Sequence, residues 1–521
     1  MLKDDRIWIA QGEAPCCLLL NQANRHGLIA GASGTGKTVT LKVMAEGLSD
    51  AGVPVFMADV KGDVTGLAQS GELSDSLRAR MVDFGIDEKA FGFRGVPCRI
   101  WDMLGDAGIP VRITISDMGP QLLARLLGLT EVQQGVLNIV FRVADERGLL
   151  LLDLKDLRSM LAYVGEHAKE FEVAYGRVSA QSVGAIQRAL IAVEDQGGDV
   201  FFGEPNLDIM DWFACDASGR GYVNILNAAR LVNTPLVYSM FMLWMLSTLF
   251  ERLPEVGDLD KPKLVFFFDE AHLLFNGMPK PLTEKVVQVV KLVRSKGVGV
   301  YFVTQSPSDI PNEVLAQLSN RVQHGLRAYT PAEQRAVKAA AASFRANPAF
   351  NAVDALQDLG TGEALVSFLD EDGRPCMVER ARVLFPACRM AAADAGIVAN
   401  VLANSGELMN KYGEAIDRES AFELINKERE EAEAAARLAA EREALEKERA
   451  AFEAQKAKEE AAAAAKAERE AAKAAREAQK REEQAKRQRD RMVNTMVNSV
   501  LGSIGREAGR QITRGIFGTR R

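Results

Sequence analysis

The sequence predicts an α/β protein with a parallel central sheet, an all-helical insertion and a long charged C-terminal helix. Three observations carry this. Short unbroken apolar runs recur just ahead of polar loops, as at 28–30, 53–58, 263–268 and 298–304, and such runs mark strands covered on both faces. From 119 to 216 apolar residues fall at helical spacing instead. From 419 to 491 the composition collapses to Ala, Glu, Lys and Arg, with no Gly or Pro to stop a helix.

At 521 residues the chain exceeds one ordinary core. A formal charge of −7 excludes a globally basic nucleic-acid coat, so any such contact must be local. The six cysteines show no C-x-x-C spacing, which argues against a zinc module or a disulfide framework. The first residues, Met-Leu-Lys-Asp-Asp-Arg, lack the apolar core of a signal peptide. A reduced, cytoplasmic setting is therefore expected. The apolar stretch 235–250 falls short of the roughly 20 residues a bilayer requires and is expected to be a helix buried against the sheet.

In chain order, 1–118 is expected to form the first part of the core. Ile7–Ala10 and Cys17–Leu20 read as edge strands, and 28–30 as the strand entering a glycine-rich turn. A helix follows, then a strand ending at Asp59 and the loop that carries Lys61 and Asp63. The helical insertion spans 119–216. The second part of the core, 217–390, resumes at Tyr222–Leu226 and continues with strands 263–268 and 298–304. Further strands are expected at 322–328, 363–369 and 376–383. A linker is expected at 391–418, then a charged helix with a weak coiled-coil register at 419–491. A basic amphipathic tail is expected at 492–521, with Met492, Met496 and Ile504 on one side and Arg506, Arg510 and Arg514 beyond.

The chemistry centres on Gly31, Ala32, Ser33, Gly34, Thr35, Gly36, Lys37 and Thr38, which match G-x-x-x-x-G-K-[ST] between a strand and a helix. Glycines let successive backbone N–H groups point at one anionic group. The helix N-terminus adds its positive dipole end, and the Lys37 ammonium neutralises β and γ oxygens. Thr38 offers its hydroxyl to Mg²⁺. Asp269 ends an apolar strand, where it can hold the metal through water, and Glu270 is placed to polarise an attacking water. Gln305 ends the neighbouring strand, where an amide could sense a γ-phosphate. His272 reads as a surface or packing residue.

In combination, Asn24–Thr38, Ala58–Asp63, Phe268–His272, Val303–Pro311 and Asn320–Arg327 resemble the bacterial HerA-like ATPases of the HerA/FtsK superfamily, up to about Phe385. The resemblance implies a RecA-like P-loop NTPase core, ATP as nucleotide with Mg²⁺, and a hexameric homo-oligomer with each site at a subunit boundary. It also implies a catalytic arginine supplied by the neighbour, for which Arg294 matches the place and Arg321 is the second choice. Archaeal HerA proteins carry a β-barrel ahead of the phosphate loop, whereas thirty residues precede Gly31 here. A ring ATPase translocating DNA, in helicase-like fashion, is the leading expectation. A secretion- or conjugation-type motor acting on protein or at a membrane through 419–521 is the alternative, and a nucleotide-timed scaffold the third.

Overall fold

The structure is a computed structural model that describes residues 1–105, 107–230, 234–257, 259–275 and 280–497. It divides into two units, 1–428 and 429–521.

Unit one is built on a sheet of strands β1 (Leu2–Lys3), β2 (Arg6–Gln11), β3 (Pro15–Leu19), β4 (Gly27–Ala30), β5 (Val55–Asp59), β6 (Cys98–Asp102) and β7 (Ile109–Pro110), continued by β8 (Val223–Asn227), β9 (Leu264–Phe268), β10 (Val298–Thr304), β11 (Asn320–His324), β12 (Glu363–Ser367) and β13 (Glu379–Val383). The strand order is β1-β2-β13-β12-β11-β4-β10-β9-β5-β8-β6-β7, with β3 paired to β2. From β11 to β7 every pairing is parallel. The remainder, through β12, β13 and β2, is antiparallel. The expected parallel central sheet is present and is flanked on one side by antiparallel strands, of which β12 and β13 are neighbours in sequence and pair as a short connection allows.

The unbroken apolar strands split their side chains between two layers. Phe266 and Phe268 of β9 lie in one core cluster, while Val265 and Phe267 lie in the other. Phe56 and Met57 of β5 divide in the same way. Period-two alternation with both faces apolar is what burial on both sides demands.

One face carries the helices of the insertion together with Pro235–Arg252 and Lys280–Val293, all in a single apolar cluster. The insertion is thus a layer of the core and not a separately packed body. Its first helix spans Ile115–Leu126 and kinks at Gly119, whose φ of 71° precedes Pro120. That Gly-Pro step marks the boundary the sequence suggested at 119, four residues after the helical stretch begins. Helix Pro235–Arg252 buries Phe241 and Trp244 completely or nearly so, and no described helix is long and apolar enough to cross a membrane.

The other face carries helix Lys37–Asp50. Two charged residues of this helix are wholly enclosed. Lys42 Nζ donates to the carbonyls of Asp63 (2.7 Å), Arg389 (2.9 Å) and Met390 (2.9 Å). Glu46, one turn on, accepts from the backbone N–H groups of Ala387 (2.8 Å) and Cys388 (2.6 Å). The end of the core is therefore clamped to the helix that follows the glycine turn.

Residues 391–418, expected as a linker, carry helices Ala395–Asn404 and Gly406–Tyr412. Tyr412 is fully buried, packs edge-on to Trp101 at 5.8 Å, and accepts from the Asp208 N–H at 3.0 Å. Ile397, Val398, Val401, Leu402, Leu408, Met409 and Tyr412 do fall at helical spacing, a signal that the expectation of a linker did not use.

The helix Ala421–Val497 runs 77 residues, about 115 Å at 1.5 Å per residue. Within unit two its described side chains are exposed, including Leu438 (51%), Leu445 (53%) and Phe452 (69%) of the seven-residue register. The expected basic tail lies mostly outside the described residues, which end at 497.

His26 joins β4 to its neighbours. Its Nδ1 accepts from the Val300 N–H at 3.0 Å, so Nε2 carries the proton and donates to Val290 O at 2.8 Å. Burial pulls its pKa down from 6.5 to about 4. The folded state thus binds this proton less tightly than the unfolded chain, so the contribution is complete above pH 6.5 and disappears as pH falls towards 4. Between pH 7 and 5 His26 should cost about 2 kcal/mol of stability. Asp59 and Asp269 are raised to about 6 and work in the opposite sense. The check is therefore the difference in denaturation midpoint between wild type and His26→Asn, which should shrink on acidification. Independently, Glu46→Ala, which strands two buried N–H donors, should lower stability by about 3 kcal/mol in denaturant titration, whereas substitution of exposed Glu443 should change nothing measurable.

Candidate functional site

The parallel strands point their carboxyl ends to one edge, and there the predicted residues gather. β4 lies between β10 and β11, and β9 lies beyond β10. In register, Thr304 pairs with Ala30 and Phe302 with Phe268, so the glycine turn after Ala30, the Asp269-Glu270 pair and Gln305 all leave the sheet at one level. The turn is moored on both sides. Gly31 N donates to Thr304 O (3.2 Å), and Ala32 N donates to Gly325 O (3.0 Å).

The turn needs its glycines for two different reasons. A Cβ at Gly31 would fall 2.5 Å from His324 Cβ, and Gly36 holds φ 112°, a left-handed value. Gly36 is also the N-cap of helix Lys37–Asp50, and no side chain caps that end. Its first N–H groups are thus available to an anion, the arrangement that favours phosphate. Lys37 is buried and folded back, with Nζ donating to Gly31 O (2.7 Å) and Ala32 O (3.1 Å). Burial lowers its pKa, and nearby Lys61 adds repulsion, while Glu270 and Asp269 oppose both. The two acids thus sit within electrostatic reach of Lys37.

Asp269 is 6% exposed and accepts the Glu270 N–H at 2.9 Å. Burial, helped by repulsion from Glu270, pushes its carboxyl up to about 6. Glu270 is 5% exposed and sits at φ 48°, a left-handed position rare for a side chain of this size. Its Oε1 pairs with Lys61 Nζ at 2.5 Å. Its Oε2 faces His272 Nδ1 at 3.3 Å and accepts from Gln305 Nε2 at 3.4 Å. Burial works to raise Glu270, but Lys61, Gln305 and His272 outweigh it, and the carboxyl stays below its ordinary value. Two neighbouring acids are thus driven apart, one ready for a cation and one held as an anion.

The donor set fits Mg²⁺. Thr38 supplies a hydroxyl and Asp269 a carboxylate in need of positive charge, and hard oxygen donors few enough to leave room for water and phosphate are what this ion takes. Among the described residues no cluster of three or more His, Cys, Asp or Glu offers an all-protein metal cage.

Gln305 thus meets Glu270 from the end of the neighbouring strand. Arg294 does not meet this site within the chain. It lies in the turn Arg294–Lys296 that precedes β10, while Gln305 follows the other end. Seven residues of strand, about 20 Å, separate them. Arg321 is engaged locally, donating to Leu318 O (2.9 Å) and Leu315 O (3.0 Å).

Three further residues support these groups. His324 bridges the turn to β12, with Nε2 2.8 Å from Thr40 Oγ1 and Nδ1 3.1 Å from Glu363 O. Asp309 accepts from Thr304 Oγ1 (2.6 Å) and Ser306 N (3.0 Å), which fixes the loop carrying Gln305. Asp59 accepts from Gly62 N (2.7 Å) and Val64 N (3.1 Å) and so shapes the loop that delivers Lys61. All three lie within the stretches that carry the family resemblance, Ala58–Asp63, Val303–Pro311 and Asn320–Arg327. A cleft of about 400 Å³ opens beside the turn, lined by Ser33, His272, Gln305 and Arg327 among others. A larger cavity of about 770 Å³, between β3 and the segment 368–379, holds Cys16, Cys17 and Cys376 but no phosphate-binding element.

Comparison with known proteins follows from this geometry. No curated protein matches the chain. Among solved structures, the bacterial conjugative coupling protein TrwBdeltaN70 in its unbound form is similar, at 15% identity and a TM-score of 0.49 over 75% of this chain and 92% of that one. The plasmid coupling protein TrwB in complex with ADP and Mg²⁺ gives 15% identity and a TM-score of 0.47 over the same shares. VirB4 of Thermoanaerobacter pseudethanolicus gives 14% identity and a TM-score of 0.44, over 76% of this chain and 99% of that one. The sequence profile described as helicase HerA-like C-terminal matches residues 4–521. With the phosphate turn and the acid pair at one sheet edge, and with that match over nearly its whole length, the chain belongs to the HerA-like family of P-loop ATPases.

Proposed function

We propose that this ATPase is the subunit of a homo-oligomeric ring that couples ATP hydrolysis to translocation along duplex DNA in the cytoplasm. The observation that carries the hydrolytic part is the separation of roles at residues 269 and 270. Asp269 is poised for Mg²⁺, while Glu270 is held anionic next to the place where water would attack. Hydrolysis forms a bond from water oxygen to the γ-phosphorus and breaks the bond to the β–γ bridging oxygen, which leaves with the electron pair. Glu270 takes the water's proton. Lys37 and the helix N-terminus neutralise the phosphate oxygens, and Gln305, in contact with Glu270, reports the γ-phosphate to β10. Thr38 and Asp269 would hold Mg²⁺, which would supply further neutralisation of the triphosphate's charge.

The ring is supported by the position of Arg294 at the far end of β10 from Gln305, away from its own subunit's site. DNA as the moved substrate is supported by the family membership. A second reading, a secretion- or conjugation-type motor acting on protein or at a membrane, is supported by the charged helix Ala421–Val497, whose exposed length has no role in the ATPase site.

Lys37→Ala should abolish ATP turnover, and Glu270→Gln should lower kcat at least about 1,000-fold with nucleotide affinity kept within a few-fold. The translocase reading requires duplex DNA to stimulate the wild-type ATPase at low salt; stimulation instead by liposomes or protein, lost on removing residues 429–521, would favour the second reading. Mixed rings test Arg294. Arg294→Ala and Lys37→Ala proteins should each be inactive alone, yet mixing them should restore measurable turnover, because some boundaries then pair an intact turn with an intact arginine. Failure to complement, with mixed assembly verified, would remove Arg294 from the site.

A further inference from the structure

The tightest contact on Glu270 comes from Lys61, a residue to which the hydrolytic scheme above gives no part. Lys61 lies on the loop after β5, and the two partners of this ion pair differ in freedom. The Glu270 side chain is 6% exposed, whereas that of Lys61 is 45% exposed. The carboxylate is fixed by its left-handed backbone and by its two further contacts, to His272 and Gln305. The ammonium sits on a flexible four-carbon stem with open space around it. The loop beneath it is rigid, because Asp59 receives the N–H groups of Gly62 and Val64. If the pair separates, Lys61 is the member that moves, and Glu270 keeps its other two contacts.

The pair also sits in the wrong state for hydrolysis. A carboxylate engaged at 2.5 Å by an ammonium has one oxygen occupied and its basicity reduced. A γ-phosphate entering beside Lys37 brings negative charge to the neighbourhood of Lys61, whose charge already acts on Lys37 across the site. An ammonium prefers the multiply charged phosphate to a single carboxylate. A diphosphate, lacking that group, offers no comparable inducement.

We propose that Lys61 is a transferable cation: in the nucleotide-free site it pins Glu270, and a bound triphosphate draws it to the γ-phosphate, which frees Glu270 to accept the proton of the attacking water. Lys61 then distinguishes ATP from ADP and keeps the base idle until the bond to be cleaved is present. The inference rests on the hydrolytic reading, and the two fail separately.

The test uses the full chain with a fluorescent ADP and a non-hydrolysable ATP analogue, alongside steady-state ATPase rates. Lys61→Met should leave the ADP Kd within about twofold but weaken the triphosphate analogue about tenfold or more, the range of one lost charged hydrogen bond. Its kcat should fall at least about tenfold, and Lys61→Arg, which can pair with either anion, should recover most of the discrimination. In a Glu270→Gln background, Lys61→Met should still weaken the triphosphate analogue, because the phosphate contact does not require the carboxylate. Equal weakening of both nucleotides, or of neither, would overturn the proposal. So would loss of discrimination in Glu270→Gln alone. Lys37→Ala serves as the separate control: if it bound both nucleotides normally, the hydrolytic reading itself would fail, whatever Lys61 does. Should Lys61→Met not fold by its melting profile, Lys61→Gln gives the same comparison.

Discussion

Two carboxylates emerge together from the middle of an apolar sheet, and the rest of the molecule answers to that fact. β9 is Leu-Val-Phe-Phe-Phe, buried on both faces, and Asp269-Glu270 follows at once, each about one-twentieth exposed. Two adjacent buried acids cannot both stay ionised without compensation. The structure resolves this by assigning them different surroundings. Glu270 receives Lys61, His272 and Gln305, whereas Asp269 receives little and is pushed up to about 6. The unmet demand of Asp269 for positive charge is what makes the edge a site for a cation and its phosphate.

The strand order makes that demand useful. β10 separates β9 from β4, so the acids and the glycine turn are one strand apart, about 10 Å. That gap is wide enough to admit a phosphate chain and narrow enough for Asp269 and Glu270 to act on Lys37. β10 itself then supplies Gln305 between them. The carbonyls of Thr304 and Gly325 hold the turn from both flanks, so its shape is set by the sheet and not by the loop alone. The clamp of Lys42 and Glu46 onto 387–391 extends the same logic to the other face, where it ties the last segment of the core to the helix that faces phosphate.

What the sequence revealed, and what it hid, follows from the range of the signals. The glycine turn, the acids after β9 and Gln305 after β10 each sit at the end of an apolar run, so a local pattern locates them and parallel pairing brings the run ends together. Lys61 was visible as a polar residue in a loop, but its partner lies 209 positions away, and no local pattern identifies it. Nothing in the sequence marks Lys42 and Glu46 for burial, since charge ordinarily means exposure. Their burial depends on backbone groups near residue 388, far along the chain. The antiparallel edge was hidden for a related reason: the strands β12 and β13 looked like any other strand, and direction is set by what they pair with. The helices of 391–418 do leave a period, in Ile397, Val398, Val401, Leu402 and Leu408, but it is short and borders a charged stretch.

The polarity of the sheet also limits what one subunit can do alone. All ligand-facing groups leave the carboxyl ends of parallel strands, while Arg294 precedes the amino end of β10. A rigid strand of seven residues cannot bend to bring both ends to one phosphate. On the ring reading proposed above, Arg294 would therefore act on a nucleotide outside its own subunit's site. β10 would then carry both messages, with Gln305 reading the subunit's own nucleotide at one end and Arg294 acting on the adjacent one at the other.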